Sequence, residues 1–203
     1  MQLYSSELAP SPLKVLVFIA EKGIKDIEIV NLDLGKLEHK TPEYKAIAPN
    51  SRVPALKLDD GTIILETTAI CRYLESLYPE PNLFGQSPLE IASIEMWYSR
   101  ITYELATPLA HGFRHTHPHM SQMEDQNNEF GLAQRQIGVK ALEIYNEIIA
   151  TRAFIAGDNF SYADIQMAIN LKFLVRLNRL DIENYKNLNE YINQVYSRPS
   201  FSV

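Results

Sequence analysis

Two short stretches carry residue types that could hold a small polar ligand. In "RVPALKL" Val53 and Pro54 open a strand-like segment, and in "LETTAI" Glu66 and Thr67 stand where a helix should begin. A proline at the head of a hairpin strand has no amide to donate, so it marks either a plain edge strand or a cis bond. In the second case the bend leaves the N–H and C=O of Val53 open to an extended, peptide-like ligand. Glu66 and Thr67 also have two readings. One is simple N-capping with a favourable first-turn charge. The other is a receptor for an α-amino acid head group, in which Thr67 and the helix N-terminus meet a carboxylate while Glu66 holds the ammonium beside it.

A second group lies in "HGFRHTHPH", where His111 and His115 are four apart and share a helical face if the helix persists. A histidine can accept a proton or hold a water that does. H-x-x-x-H is also a zinc spacing, but the intervening catalytic glutamate and a nearby third ligand are missing, so no metal is expected. An exposed, titrating surface is the third reading. Cys71 is the single cysteine, which excludes an internal disulfide and a thiol-based metal cage. Within "AICRYL" it reads as an inert buried thiol.

These residues must be positioned by elements of two kinds. Up to about residue 79 strand-like and helix-like patterns alternate, and from about residue 88 every pattern is helical. The first part reads strand, helix, strand, helix, hairpin, helix. Its first helix, in "SPLKVLVFIAEKG", is expected to take Ser11 as N-cap, Pro12 at its first position and Gly23 as terminator. "ALKL" and "TIIL", separated by Asp59, Asp60 and Gly61, form the hairpin. "TTAICRYLESLY" places Ala69, Ile70, Tyr73, Leu74 and Leu77 on one face. In the second part "SPLE" is a capping box whose helix is expected to run to about Pro108. "SQME" is another possible box, opening a long helix on which Leu142, Tyr145 and Ile149 share a face. "NFSYADI" has Ser161 as cap with Asp164 reaching back.

The 203 residues are 46% hydrophobic and 22% charged, the balance of a folded globular chain. The net charge of -6, with nineteen basic residues spread along the sequence, gives no footprint for nucleic acid or an anionic membrane. No signal peptide or apolar run of membrane-spanning length stands out, so a cytoplasmic location is expected.

"VPAL", "DDG" and "ETTAICRYLE" followed by "LYP", with "SPLKVLVFIAEKGI" upstream and "AGDNFSYADI" downstream, resemble the glutathione S-transferase family over essentially the whole chain. The likeness is closest to a bacterial and fungal branch with an "APxP" first loop and an "EHKxPE" segment. It implies an α/β thioredoxin-like N-terminal domain (residues 1–79) that binds glutathione, followed by an all-α helical C-terminal domain (88–203) that forms the second-substrate site. Carried over residue by residue, Val53 before cis-Pro54 pairs with the cysteinyl part of glutathione. Glu66 and Thr67 grip its γ-glutamyl end, and His39, Lys40 and Arg52 face its glycyl carboxylate. The implied reaction is attack of the glutathione thiolate on a small electrophile, in a homodimer whose partner contacts lie near Arg72 and Tyr73.

One departure stands out. The serine of related classes falls on Ala9, followed by Pro10, so the thiol must be activated otherwise. The candidates are the hydroxyl of Ser11, which competes with its capping role, less directly Ser6 or Ser5, and His111. Met96, Arg100, Tyr103 and His115 are candidate lining residues of the second-substrate pocket, although the first three could equally be packing. A glutathione-dependent isomerase or dehalogenase, or a non-catalytic glutathione-binding protein, are the competing expectations.

Overall fold

Alternation makes the first strand. In Gln2–Ser5 (β1) Leu3 and Ser5 are buried while Gln2 and Tyr4 are half-covered, the period-2 pattern of a pleated strand. The structure, a computed structural model, describes residues 1–7 and 9–203. In it β1 runs parallel to Glu28–Asn31 (β2) and antiparallel to Ala55–Lys57 (β3), which pairs antiparallel with Ile63–Leu65 (β4). The resulting order, β2-β1-β3-β4, puts Leu3 opposite Leu56 at the centre, both fully buried. The β3–β4 turn closes as its sequence demands: the Gly61 N–H donates to the Leu58 carbonyl and Gly61 sits at φ 88, a conformation that glycine adopts freely.

The chain forms two units, Met1–Leu83 with Ser200–Val203, and Phe84–Pro199. In the first, Pro10–Glu21 (α1) begins two residues earlier than the sequence reading. Ala9, in extended conformation, is the N-cap with no side-chain cap, so Pro10 and not Pro12 opens the helix and Ser11 is not the cap. Proline at the first helical position costs nothing because that amide has no partner in any case. Gly23 ends the helix at φ 64, with the N–H of Ile24 donating to the Ile19 carbonyl. Thr41 caps Pro42–Ile47 (α2) by accepting from the Tyr44 N–H. The next helix, Thr67–Leu77 (α3), buries Ile70, Cys71 and Leu74. Cys71 is buried, as its apolar setting predicts, and of the expected face Ile70 and Leu74 are buried and Tyr73 is half-buried, while Ala69 and Leu77 are exposed. Lys22 locks the ends of α1 and α3 together, pairing with Glu75 at 2.5 Å and donating to the carbonyls of Tyr78 and Pro81.

The second unit is helical. Ser87 caps Pro88–Arg100 (α4) and Glu90 completes the box, as its spacing predicts. The helix does not stop at Pro108. A π-turn over Ile101–Ala106 carries it into Thr107–Thr116 (α5), the Thr107 N–H donating to the Thr102 carbonyl five residues back. The widened turn accommodates a proline that has no amide for the α-helical ladder. "SQME" opens nothing; the long helix Asn128–Ile149 (α6) starts later, capped by Asn127, which accepts from the Phe130 N–H. Leu142, Tyr145 and Ile149 lie buried on its inner face. Gly112, Gly131 and Gly138 let α5 and α6 approach: a Cβ at Gly138 would meet Leu109 at 2.6 Å. Tyr162–Leu177 (α7) is buried nearly all round, and Lys186–Tyr196 (α8) ends the unit. Asp164 is its anchor, fully buried and accepting from the N–H groups of Ile155 and Ser161 and the hydroxyls of Ser161 and Tyr191 at 2.6–2.9 Å. Among the described residues no helix is long and apolar enough to cross a membrane.

Candidate functional site

The loop before β3 is built to present one peptide unit. Asn50 accepts from the Arg52 N–H at 3.2 Å, an Asx-type turn, and Ser51 takes a left-handed φ of 54. The Tyr44 hydroxyl then donates to the Arg52 carbonyl at 2.7 Å, anchoring the loop to a small core of Tyr44, Ala48 and Ala55. Burial pushes the Tyr44 phenol up to about 12, so it remains a donor at every physiological pH. The Val53-Pro54 bond is cis. Sheet pairing starts only at Ala55, which leaves Val53 beyond the ladder at the mouth of the hairpin.

Across the hairpin, β4 runs into α3 through Glu66, the N-cap, at φ 71 and ψ 126. A residue with a Cβ pays in strain for this backbone shape, of order 1–3 kcal/mol, and such outliers concentrate at functional sites. Glu66 does not cap the helix with its carboxylate. Its side chain is exposed and available. The Thr67 hydroxyl makes a long bond, 3.5 Å, to the Ser11 carbonyl, tying the start of α3 to the first turn of α1.

Ser11, Asn50, Arg52, Val53, Pro54, Leu65, Glu66 and Thr67 line one recess of about 90 Å³. Six of these eight were singled out from sequence. Asn50 and Leu65 were not; the Asn50 to Arg52 spacing was the available signal, and Leu65 carried none. The recess is smaller than the roughly 300–1,000 Å³ of sites that enclose a drug-sized ligand. It suits one end of an extended molecule, with cis-Pro54 and Val53 on one side and Glu66 on the other.

The start of α1 faces the same recess with very few donors. Pro10 and Pro12 have no N–H, so of the first three helical residues only Ser11 carries one. Because Ala9 holds the cap position, the Ser11 hydroxyl is released from the capping role. Ser5 and Ser6, at the end of β1, are buried and do not line the recess.

His39 and Lys40 lie in the 3-10 turn Glu38–Lys40, before α2 and outside the recess lining. Burial, with the Lys40 charge beside it, holds His39 below the usual histidine range. At neutral pH His39 is therefore mostly uncharged, and Lys40, exposed, is the cation of the pair.

In the second unit α5 persists through both histidines, whose rings lie 6.1 Å apart and both pack on Phe130. The His115 Nδ1 accepts from the Asn127 N–H at 3.2 Å and so serves the start of α6. His111 has no such bond among the described residues. Arg100 is committed to packing: it forks onto Glu104 and lies 4.7 Å over the Trp97 ring. Met96 and Tyr103, by contrast, are exposed, Tyr103 by 73%. Among the described residues no group of three or more His, Cys, Asp or Glu side chains could hold a metal ion.

Comparison with known proteins matches residues 10–77 to the N-terminal domain, and residues 109–199 to the C-terminal domain, of glutathione S-transferases. Glutathione S-transferase 2 of Saccharomyces cerevisiae is 34% identical over 98% of this chain and 87% of its own length. The crystal structure of Gtt2 from the same yeast superposes with a TM-score of 0.88, at 34% identity and 98% coverage of both chains. Maleylacetoacetate isomerase of Pseudomonas aeruginosa is 39% identical, over 45% of this chain and 44% of its own.

Proposed function

The chain belongs to the glutathione S-transferase family, and from that premise we propose that it activates the glutathione thiol for attack on a small hydrophobic electrophile. The observation that carries this reading is the single recess shared by Val53, Glu66, Thr67, Arg52 and Ser11. The chemistry of each matches one part of glutathione. Glu66 holds the γ-glutamyl ammonium, and Thr67 with the N-terminus of α3 holds its carboxylate. The backbone of Val53 pairs with the cysteinyl peptide unit. Arg52, with Lys40 and His39, faces the glycyl carboxylate.

The thiolate sulfur then attacks an electrophilic carbon; the new S–C bond forms as the leaving group departs with its electron pair. A free thiol titrates near ~8.5, and holding it two units lower requires about 2.7 kcal/mol of preference for the anion. Ser11 is the proposed donor to the sulfur and His111 the proposed proton acceptor. Met96, Tyr103 and His115 are proposed to line the electrophile side, with Arg100 as their packing support. A homodimer is supported by the second apolar stripe of α3, where exposed Ala69 and Leu77 flank Tyr73 beside Arg72. Detoxification in the cytoplasm is the role proposed.

The local likeness to an isomerase supports a second reading, glutathione-dependent isomerisation. The test is thiolate absorbance of bound glutathione against pH, followed by turnover of a generic aryl halide. A thiol at least one unit below free glutathione, with the conjugate formed stoichiometrically, supports the transferase; a thiol lowered as far, with no conjugate formed and glutathione recovered unconsumed, favours the isomerase. An unshifted thiol overturns both.

A further inference from the structure

The second unit contains a cleft of about 460 Å³ lined by Phe113, Thr116, His117, Pro118, Arg135, Leu177, Asn178 and Arg179. Its size falls within the range of small-molecule sites. None of these residues belongs to the recess around Glu66 or to the positions assigned to the electrophile. We propose that this cleft is a separate binding site for a small aromatic carboxylate.

The first argument is charge. Two arginines, Arg135 and Arg179, are among the lining residues, and no aspartate or glutamate is. The C-termini of α5 and α7 also end here, at Thr116 and Leu177. Each brings about half a negative charge, so the arginines are partly spent on them; the Arg135 guanidinium donates to the Asn178 carbonyl at 3.2 Å. Two positive charges less about one leave a surplus near +1, which fits one carboxylate better than a doubly charged phosphate.

The second argument is donor direction. His117 accepts the His119 N–H on Nδ1, so the neutral ring carries its proton on Nε2 and offers a donor. The Asn178 amide is occupied, donating to the carbonyls of Leu109 and Leu174 at 2.9 and 3.0 Å, and the Thr116 hydroxyl donates to Gly112. The ligand's oxygens are thus left to Arg135, Arg179 and His117. Phe113 and His117, 4.8 Å apart with planes at 34°, supply a ring surface for a flat body.

The third argument is Arg179 itself. It follows the C-cap of α7 in the left-handed conformation, φ 51, and the turn closes with the Leu180 N–H donating to the Val175 carbonyl. Glycine is the residue such a position favours. An arginine here works against the backbone, and it is one of the residues that line the cleft.

The experiment titrates benzoate into the full chain without glutathione, followed by ligand-observed NMR, with benzyl alcohol, acetate and phenyl phosphate as comparison probes. Benzoate should bind at least about tenfold more tightly than the uncharged ring or the ringless carboxylate. Arg179→Gly should weaken benzoate by about tenfold or more while its Tm stays equal or rises, because glycine suits the turn; Arg179→Lys should fall between. Arg135→Gln should weaken binding as well. Benzoate no tighter than benzyl alcohol or acetate, phenyl phosphate tighter than benzoate, or unchanged binding in Arg179→Gly would each overturn the proposal.

Discussion

Glu66 separates what the site needs from what the fold prefers, and two substitutions pull the two apart. At φ 71 and ψ 126 its backbone carries strain of order 1–3 kcal/mol, all of which an alanine would keep. Glycine escapes the part due to Cβ but enlarges the unfolded ensemble, an offset of about 0.4–1 kcal/mol. Glu66→Gly should therefore be more stable than Glu66→Ala by about 1 kcal/mol, or about 3 °C in Tm for a chain of this size. Both variants lose the carboxylate. Because that group is exposed before ligand binds, its contact with an ammonium is worth about 1–2 kcal/mol, a five- to thirtyfold loss of glutathione affinity. Calorimetric titration with glutathione and thermal unfolding of both variants measure the two effects independently. Retained affinity in Glu66→Ala would refute the ammonium contact; Glu66→Gly no more stable than Glu66→Ala would refute the strain.

Three further outcomes follow from named contacts. Tyr44→Phe removes the donor to the Arg52 carbonyl and should cost about 1 kcal/mol in denaturant unfolding, with weaker glutathione binding because the loop carrying Val53 loosens. Burial pushes the Lys14 ammonium down to about 8, with Cys71 opposing the shift. The unfolded chain then binds the extra proton between about pH 8 and 10.5, so across that window the stability of the wild type relative to Lys14→Met should rise with pH, the comparison cancelling the buried tyrosines that titrate near its upper end. A methyl at Gly131 would lie 2.7–2.8 Å from Thr116 and His115, so Gly131→Ala should destabilise by about 1–2 kcal/mol and shift the His115 resonances in NMR.

Features set by neighbours in sequence were legible, and those set by tertiary context were not. The Ser161–Asp164 and Ser87–Glu90 boxes need only a three-residue spacing, and both formed. The hairpin and its Gly61 turn are equally local. The start of α1 is ambiguous in sequence because two prolines and one serine fit two registers, and the choice of Ala9 as cap depends on where β1 delivers the chain. Pro108 reads as a stop, yet the π-turn that carries the helix past it is held by α6 and α7 packed around it. "SQME" lost to Asn127 because an Asx cap competes on equal terms with a serine cap. Within the site Val53, Glu66 and Thr67 were visible because each is anomalous for its element. Leu65 is an ordinary strand residue, and only the fold brings it to the recess.

The two prolines that obscured the start of α1 also limit how it can stabilise a thiolate. A helix N-terminus ordinarily offers several amides to an anion, but Pro10 and Pro12 remove two of the first three and leave those of Ser11 alone. The Ser11 N–H and the Ser11 hydroxyl are then the donors this end of α1 can bring to the sulfur. A charge-assisted hydrogen bond contributes about 1.5–3 kcal/mol and the dipole about 0.3–1 kcal/mol, so the pair can reach the 2.7 kcal/mol of a two-unit shift, whereas the amide alone reaches about half. Ser11→Ala should accordingly raise the thiol of bound glutathione by about one unit in the thiolate absorbance titration and leave a residual shift of similar size. His111→Ala, if His111 only receives the proton, should slow turnover without moving that titration. A thiol unmoved by Ser11→Ala and raised by His111→Ala would transfer the stabilising role from α1 to α5, and the hydroxyl freed by Ala9 would have no part in the chemistry.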